Sequence, residues 1–255
     1  SDGGDGICVI RYKADVTTVT GGTKTDHGGS TFHVFTEPGV FEVPATSPRV
    51  GQTMKIMAVA GGGGGGSYNG GGGGAGLYYV NSSVTVTAGR MAVVIGQGGR
   101  GANCFWAGNQ GGTTSPKDGN TERGPYAGNG HPTFTIGAPN VGVSAEISLL
   151  GGGAGASNSY DRDGQGFSSV PNGGCGGGGS DNGGPGAAGP SPYSYAGGNA
   201  TNNTSGAGGG GATAAGGDPP GASTGGAGGA GVGTPWIPSA LPTLYGEGSG
   251  PMKYH

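Results

Sequence analysis

Charge is scarce in this sequence. Asp, Glu, Lys and Arg make up 10% of its 255 residues, and the formal net charge is −3. That excludes the basic footprint of a nucleic-acid-binding domain and the polybasic patch that would hold a membrane surface. Hydrophobic residues reach only 31%, but disordered chains of low hydrophobicity ordinarily carry many charges, and this one does not. Apolar runs are short: none approaches the roughly 18 residues of a membrane span, so no membrane insertion is expected, and no secretory signal segment is visible. Three cysteines, Cys8, Cys104 and Cys175, are too few and too far apart for a disulfide framework or a Cys-x-x-Cys metal site, and read as small buried hydrophobes. Helix signals are also missing. No window repeats its apolar residues every 3.6 positions, and interior glycine costs a helix about 1 kcal/mol per residue.

The residues of common catalytic chemistry are equally thin. The four histidines, His27, His33, His131 and His255, have no metal-ligand spacing, and no paired carboxylate, nucleophile elbow or Cys-His arrangement accompanies them. Asp161-Arg162-Asp163-Gly164 opens like a calcium loop, but Asn172 stands where the late glutamate belongs, so a solvated turn is the reading. Gly96-Gln97-Gly98-Gly99-Arg100-Gly101 spells the G-x-G-x-x-G of a dinucleotide turn, which needs a helix N-terminus after it. The next residues, Ala102-Asn103-Cys104-Phe105-Trp106, form no amphipathic helix. Asn81-Ser82-Ser83 and the run Asn199 to Ser205 match N-glycosylation acceptors, which matter only in a secreted chain. The expectation is a protein that is not an enzyme, with no cofactor, no metal and no nucleic-acid partner.

Glycine, by contrast, is abundant, with 70 residues against a usual share of about 7%. Up to residue 150 the β-branched and aromatic residues gather into short strand-like runs: Ile7 to Lys13, Thr31 to Thr36, Val40 to Val43, Thr53 to Ala60, Leu77 to Val80, Val84 to Thr87, Met91 to Ile95 and Val141 to Leu150. Alternation of Phe32, Val34 and Thr36 with His33 and Phe35 fits a sheet with one buried face. Beyond residue 150 glycine tracts alternate with short polar and aromatic inserts. Such tracts are either flexible linkers or polyglycine-II helices, which have three residues per turn and no internal hydrogen bonds. The second half offers no domain for a linker to join, so ordered helices bonded to one another are expected. Only a cooperative lattice offsets the entropy of ordering so much glycine. The fold class expected is therefore all-β, an antiparallel β-sandwich or jelly-roll-like region with packed polyglycine-II helices and almost no α-helix.

Thr31-Phe32-His33-Val34-Phe35-Thr36-Glu37-Pro38-Gly39-Val40-Phe41-Glu42-Val43-Pro44 resembles the opening hairpin of a glycine-rich domain common in phage tail-fibre and viral adhesin proteins. The strand Met54 to Ala60 running into Gly61 to Gly66, the step from Val93-Val94-Ile95 into Gly96-Gln97-Gly98-Gly99, and Gly225 to Gly231 followed by Tyr245-Gly246 resemble the same family. The resemblance implies a β-sandwich fused to polyglycine-II helices, with loops that in some phage adhesins grip host receptors. One departure stands out: Gly6-Ile7-Cys8-Val9-Ile10-Arg11-Tyr12 looks like the family's closing strand but sits at the amino end. The chain therefore divides into three segments: residues 1–29 as the end of a preceding repeat or an exchanged strand plus connector, 30–150 as the β-rich part, and 151–255 as polyglycine tracts with polar and aromatic loops. Ile7, Val9, Ile10 and Tyr12 are the candidates for an inter-subunit strand.

The inserts hold the candidates for binding. Phe105, Trp106, Tyr126, Tyr160, Phe167, Tyr193 and Tyr195 lie among Asn, Asp and Ser. Rigid rings beside polar side chains give contact area at low entropy cost, and a ring can stack on the apolar face of a sugar. The competing role is to cap the lattice and pin its loops. Together these readings lead to a virion fibre or tail-tip protein that binds a host-surface glycan or protein non-covalently. The alternative is a structural subunit of a secreted extracellular filament or sheath. The other partner expected is either further copies of the chain, as a homo-oligomer or polymer, or a virion fibre protein.

Overall fold

The computed structural model describes residues 1–14, 18–67, 69–102, 133–136, 141–143, 147–157, 174–180, 183–188, 192–201, 205–237 and 253–254. Strands and extended glycine segments make up the regular structure of these residues, with no helix among them.

Five strands form the first sheet, in the order β2-β3-β1-β5-β6: β1 (Ile7–Lys13), β2 (Thr23–His27), β3 (Ser30–Phe35), β5 (Thr53–Val59) and β6 (Tyr78–Thr85). The second sheet runs β4-β7-β8-β9, with β4 (Gly39–Val43), β7 (Gly89–Val94), β8 (Thr133–Ile136) and β9 (Ser148–Leu149). A two-stranded pair joins β10 (Val232–Gly233) to β11 (Lys253–Tyr254). Every pairing is antiparallel.

Strand alternation builds the core. Cys8, Ile10 and Tyr12 of β1 and Met54, Ile56 and Ala58 of β5 meet Phe41 and Val43 of β4, Met91 and Val93 of β7, and Leu149 in one cluster between the sheets. The other face of the first sheet is buried too. Ile7, Val9, Phe32, Val34, Met57, Val59 and Tyr78 are covered by Ile237, with Trp236 and Val232 against them. Sheet faces buried on both sides favour continuous apolar runs, which is why β1 and β5 read Ile-Cys-Val-Ile and Ile-Met-Ala-Val. The expectation of one buried face for the Phe32–Phe35 alternation is thus corrected: all six residues of β3 are buried.

The candidates for an inter-subunit strand lie inside the first sheet. Ile7, Val9, Ile10 and Tyr12 lie on the central strand of the first sheet, paired on one edge with β3 and on the other with β5 of the same chain. Both edges of β1 are thus paired within the chain. Within residues 1–29, β1 and β2 are thus strands of this sheet. Two strands read as separate, around Leu77 to Val80 and Val84 to Thr87, are one strand, β6, bulged opposite Met54 and Ile56. Among the described residues of Val141 to Leu150, Ser148–Leu149 is strand; Val141 and Gly142 have φ of 50° and 94°, a turn conformation that ends any strand there.

The glycine tracts form most of the remaining described residues. In residues 61–66 the amides of Gly62 and Gly65 donate to the carbonyls of Gly4 and Ser1, and those of Gly63 and Gly66 donate to Gly74 and Gly71. The carbonyls of Gly61 and Gly64 accept from Gly152 and Gly155. Each direction recurs every three residues and serves a different neighbour, the hydrogen bonding of a polyglycine-II lattice. Residues 70–76, 96–102, 151–156, 174–179, 206–211 and 225–231 continue it, as do residues 1–6 at the amino end. The lattice therefore spans the boundary expected at residue 150. Glycine is required at its closest approaches: a Cβ on Gly63 would collide with the Gly153 carbonyl, and one on Gly74 with the Cys175 carbonyl.

Candidate functional site

The lattice has two ends, and the hydrogen-bond levels say which residues sit at each. Residues 61–66, 96–102 and 151–156 leave the sheets after β5, β7 and β9 and run parallel, Gly99 and Ala102 donating to Gly62 and Gly65. Ala102 and Ser157 thus lie at the end far from the sheets. Residues 70–76 return antiparallel into β6, since Gly66 donates to Gly71 and Gly63 to Gly74. The same levels place Ser67 and Asn69, Ser180 and Gly183, Thr201 and Ser205, and the turn from Asp218 to Gly225 at the far end. Ser67 and Ser157 meet there, the Ser67 amide donating to Ser157 Oγ at 3.2 Å.

Of the seven aromatic candidates, Phe105, Trp106, Tyr126, Tyr160 and Phe167 lie outside the described residues. The chain leaves the described lattice toward Phe105 and Trp106 at Ala102, and toward Tyr160 and Phe167 at Ser157. Tyr193 and Tyr195 are at the opposite, sheet-side end, level with Cys175 and Gly176. The structure therefore does not bring these two to the same end as Ala102 and Ser157. Tyr193 packs edge-on against Tyr78 with centroids 5.1 Å apart, and the Tyr78 hydroxyl meets Thr234 Oγ1 at 3.0 Å. Tyr193 touches both hydrophobic clusters, so it pins the lattice to the sandwich, the capping role weighed for these rings. Tyr195 is exposed, and its carbonyl accepts the Gly176 amide.

Cys175 lies between these tyrosines and is fully buried. Its thiol donates to the Gly211 carbonyl at 3.0 Å and its sulfur receives the Tyr195 amide at 3.4 Å. Burial pushes its pKa up, and pushes that of Cys8, in the sandwich core, to about 12. Both are free thiols held protonated, as expected of small buried hydrophobes.

Three aspartates do work that sequence reasoning missed. Asp5 accepts the Gly98 amide at 2.7 Å, Asp2 the Gly101 amide at 2.8 Å, and Asp218 the Asn199 amide at 2.7 Å. The first two carboxylates thus occupy the amides of the G-x-G-x-x-G run, where a phosphate would have to bind. The signal was present: Asp2 and Asp5, like Gly98 and Gly101, are one polyglycine-II turn apart.

His33 is buried among the inward-facing residues of β3. Its Nδ1 faces the Gly21 carbonyl at 2.6 Å and its Nε2 the Tyr12 hydroxyl at 2.7 Å, with the Phe41 ring edge-on at 5.2 Å. The Gly21 carbonyl can only accept, so Nδ1 carries the proton and Nε2 accepts from Tyr12. Burial lowers the His33 pKa, partly opposed by the Gly21 bond. This is a structural histidine holding two strands and the Gly21 turn in register.

Architecture and lattice together define an all-β protein in which a sandwich carries a polyglycine-II bundle. A family model described as a glycine-rich domain matches residues 36–250, and the chain belongs to that family. The match begins beyond β1, β2 and β3, although these strands complete the first sheet. Comparison with curated proteins and with solved structures finds no match.

Proposed function

We propose that this chain is a non-enzymatic structural protein of a virion fibre or tail tip, which presents host-binding segments from the far end of its lattice. The observation that supports this reading is the convergence there of Ala102, Ser157, Ser180, Thr201 and the Asp218–Gly225 turn. A rigid platform with many chain crossings at one end is suited to recognition, because scaffolded loops carry binding while the scaffold stays fixed. The segment entered at Ala102 begins Asn103-Cys104-Phe105-Trp106, rings beside polar groups of the kind that grip sugars or proteins. Tyr193 and Tyr195 do not belong to this set.

The test is binding of fluorescently labelled full chain to intact cells of a susceptible host panel. Trp106→Ala is expected to reduce binding at least about tenfold, as loss of an interface hot spot does, with an unchanged far-UV spectrum. Tyr193→Phe, at the other end, leaves binding unaltered. Binding to no cell type, or equal binding by both variants, would overturn the reading.

A further inference from the structure

The lattice has two kinds of outer edge. Along residues 96–102, the amides of Gly98 and Gly101 are closed by Asp5 and Asp2. Charge at an edge is how sheets are kept from pairing further, and it serves the same end here. Gly4 has open space around it, but stands between those two carboxylates.

Residues 225–231 form an edge of the other kind. Gly226 and Gly229 donate inward to Gly206 and Gly209, and Ala227 accepts from Gly217. Gly225, Ala227, Gly228 and Ala230 are exposed. Among the described residues, the amides of Gly225 and Gly228 meet no acceptor. These two are one turn apart, the repeat that pairs with a neighbouring polyglycine-II segment everywhere inside the lattice. A Cβ on Gly228 would meet nothing within 4 Å, and one on Gly225 only the Gly206 carbonyl at 3.6 Å. The chain's own packing therefore does not require glycine here. Neither residue has the positive φ that would require it. From Gly221 to Ile237 there is no charged residue, so nothing repels a second backbone.

We propose that this edge docks on the same edge of a second copy, antiparallel about a two-fold axis. Open amides at a three-residue repeat, on an edge whose exposed side chains are no larger than those of Ala227 and Ala230, are matched by another polyglycine-II backbone, and this chain supplies one. Antiparallel neighbours are already part of the lattice, as residues 61–66 and 70–76 show, so a two-fold axis introduces no new contact. An isologous contact closes on itself and stops at two copies. One short segment per copy makes a small interface, so the association is reversible and concentration-dependent.

Sedimentation velocity of the full chain over a wide concentration range tests this, with Gly228→Val and Gly225→Ser beside the wild type. The expected result is a monomer–dimer equilibrium for the wild type, and a dissociation constant raised at least tenfold in both variants. Their melting at low concentration, where all are monomeric, should be unchanged. A wild type that stays monomeric up to millimolar concentration would sink the proposal. So would variants that dimerise normally, and so would variants that both misfold, because the face would then not be open. Polymers in place of dimers would refute the two-fold closure.

Discussion

His33 concentrates several constraints in one side chain. It must fill space between Tyr12 and Phe41, donate to Gly21 and accept from Tyr12, which only the neutral ring does. Because burial lowers its folded pKa, the unfolded chain binds more protons in the window between that value and the ordinary one of about 6.5. Stability therefore rises with pH through this window, is flat above it, and falls on acidification. The slope is at most one proton's worth, about 1.4 kcal/mol per pH unit. Urea melts between pH 4 and 8 are expected to show this slope in the wild type and a weaker one in His33→Gln. The sequence placed His33 on a strand face but hid its partners, because Tyr12 and Gly21 are brought to it by pairing 21 and 12 residues away.

At the scale of elements, the lattice predicts its own sensitivity to a single methyl group. Gly63→Ala drives a Cβ into the Gly153 backbone, where no side chain can move aside. It is expected to cost at least about 2 kcal/mol, as overpacking of a close-packed interior does. Gly4→Ala, with nothing near the new carbon, is neutral or stabilising by up to about 1 kcal/mol through the unfolded chain. Chemical denaturation of both variants measures the contrast.

Legibility of the elements followed their chemistry. β1, β3, β4, β5 and β7 stood out because β-branched and aromatic residues line their buried faces. β2 did not, because Thr-Lys-Thr-Asp-His is an exposed edge whose polarity guards it. β6 looked broken at Asn81-Ser82-Ser83, which are polar because they are exposed or half-buried. The glycine tracts were readable as a lattice through their composition. The carboxylate caps were not, since they depend on which tract lies beside which.

For the whole molecule, the first thirteen residues are the decisive ones. Residues 1–6 are part of the lattice, bonded to residues 61–66 and 96–102, and β1 is the centre of the first sheet. Sandwich and bundle also share the strands that run from one into the other, at Ala60, Leu77, Ile95 and Leu150. The two parts are thus expected to unfold together, in one calorimetric transition whose van't Hoff and calorimetric enthalpies agree. Deleting residues 1–13 should abolish folding of both parts, leaving an insoluble or unfolded chain by circular dichroism. Two separated transitions, or a folded bundle surviving the deletion, would contradict this coupling.

The threefold repeat of the bundle also sets an arithmetic for change. Inserting three residues into a tract lengthens it by one turn and leaves every later residue facing its former neighbour. Inserting one residue rotates the remainder of the tract by a third of a turn, so that Ala75 or Cys175 would point where only a bare backbone fits. Between the tracts the lattice imposes no such phase. Substitutions and length changes can accumulate there while the glycine framework beneath keeps its count.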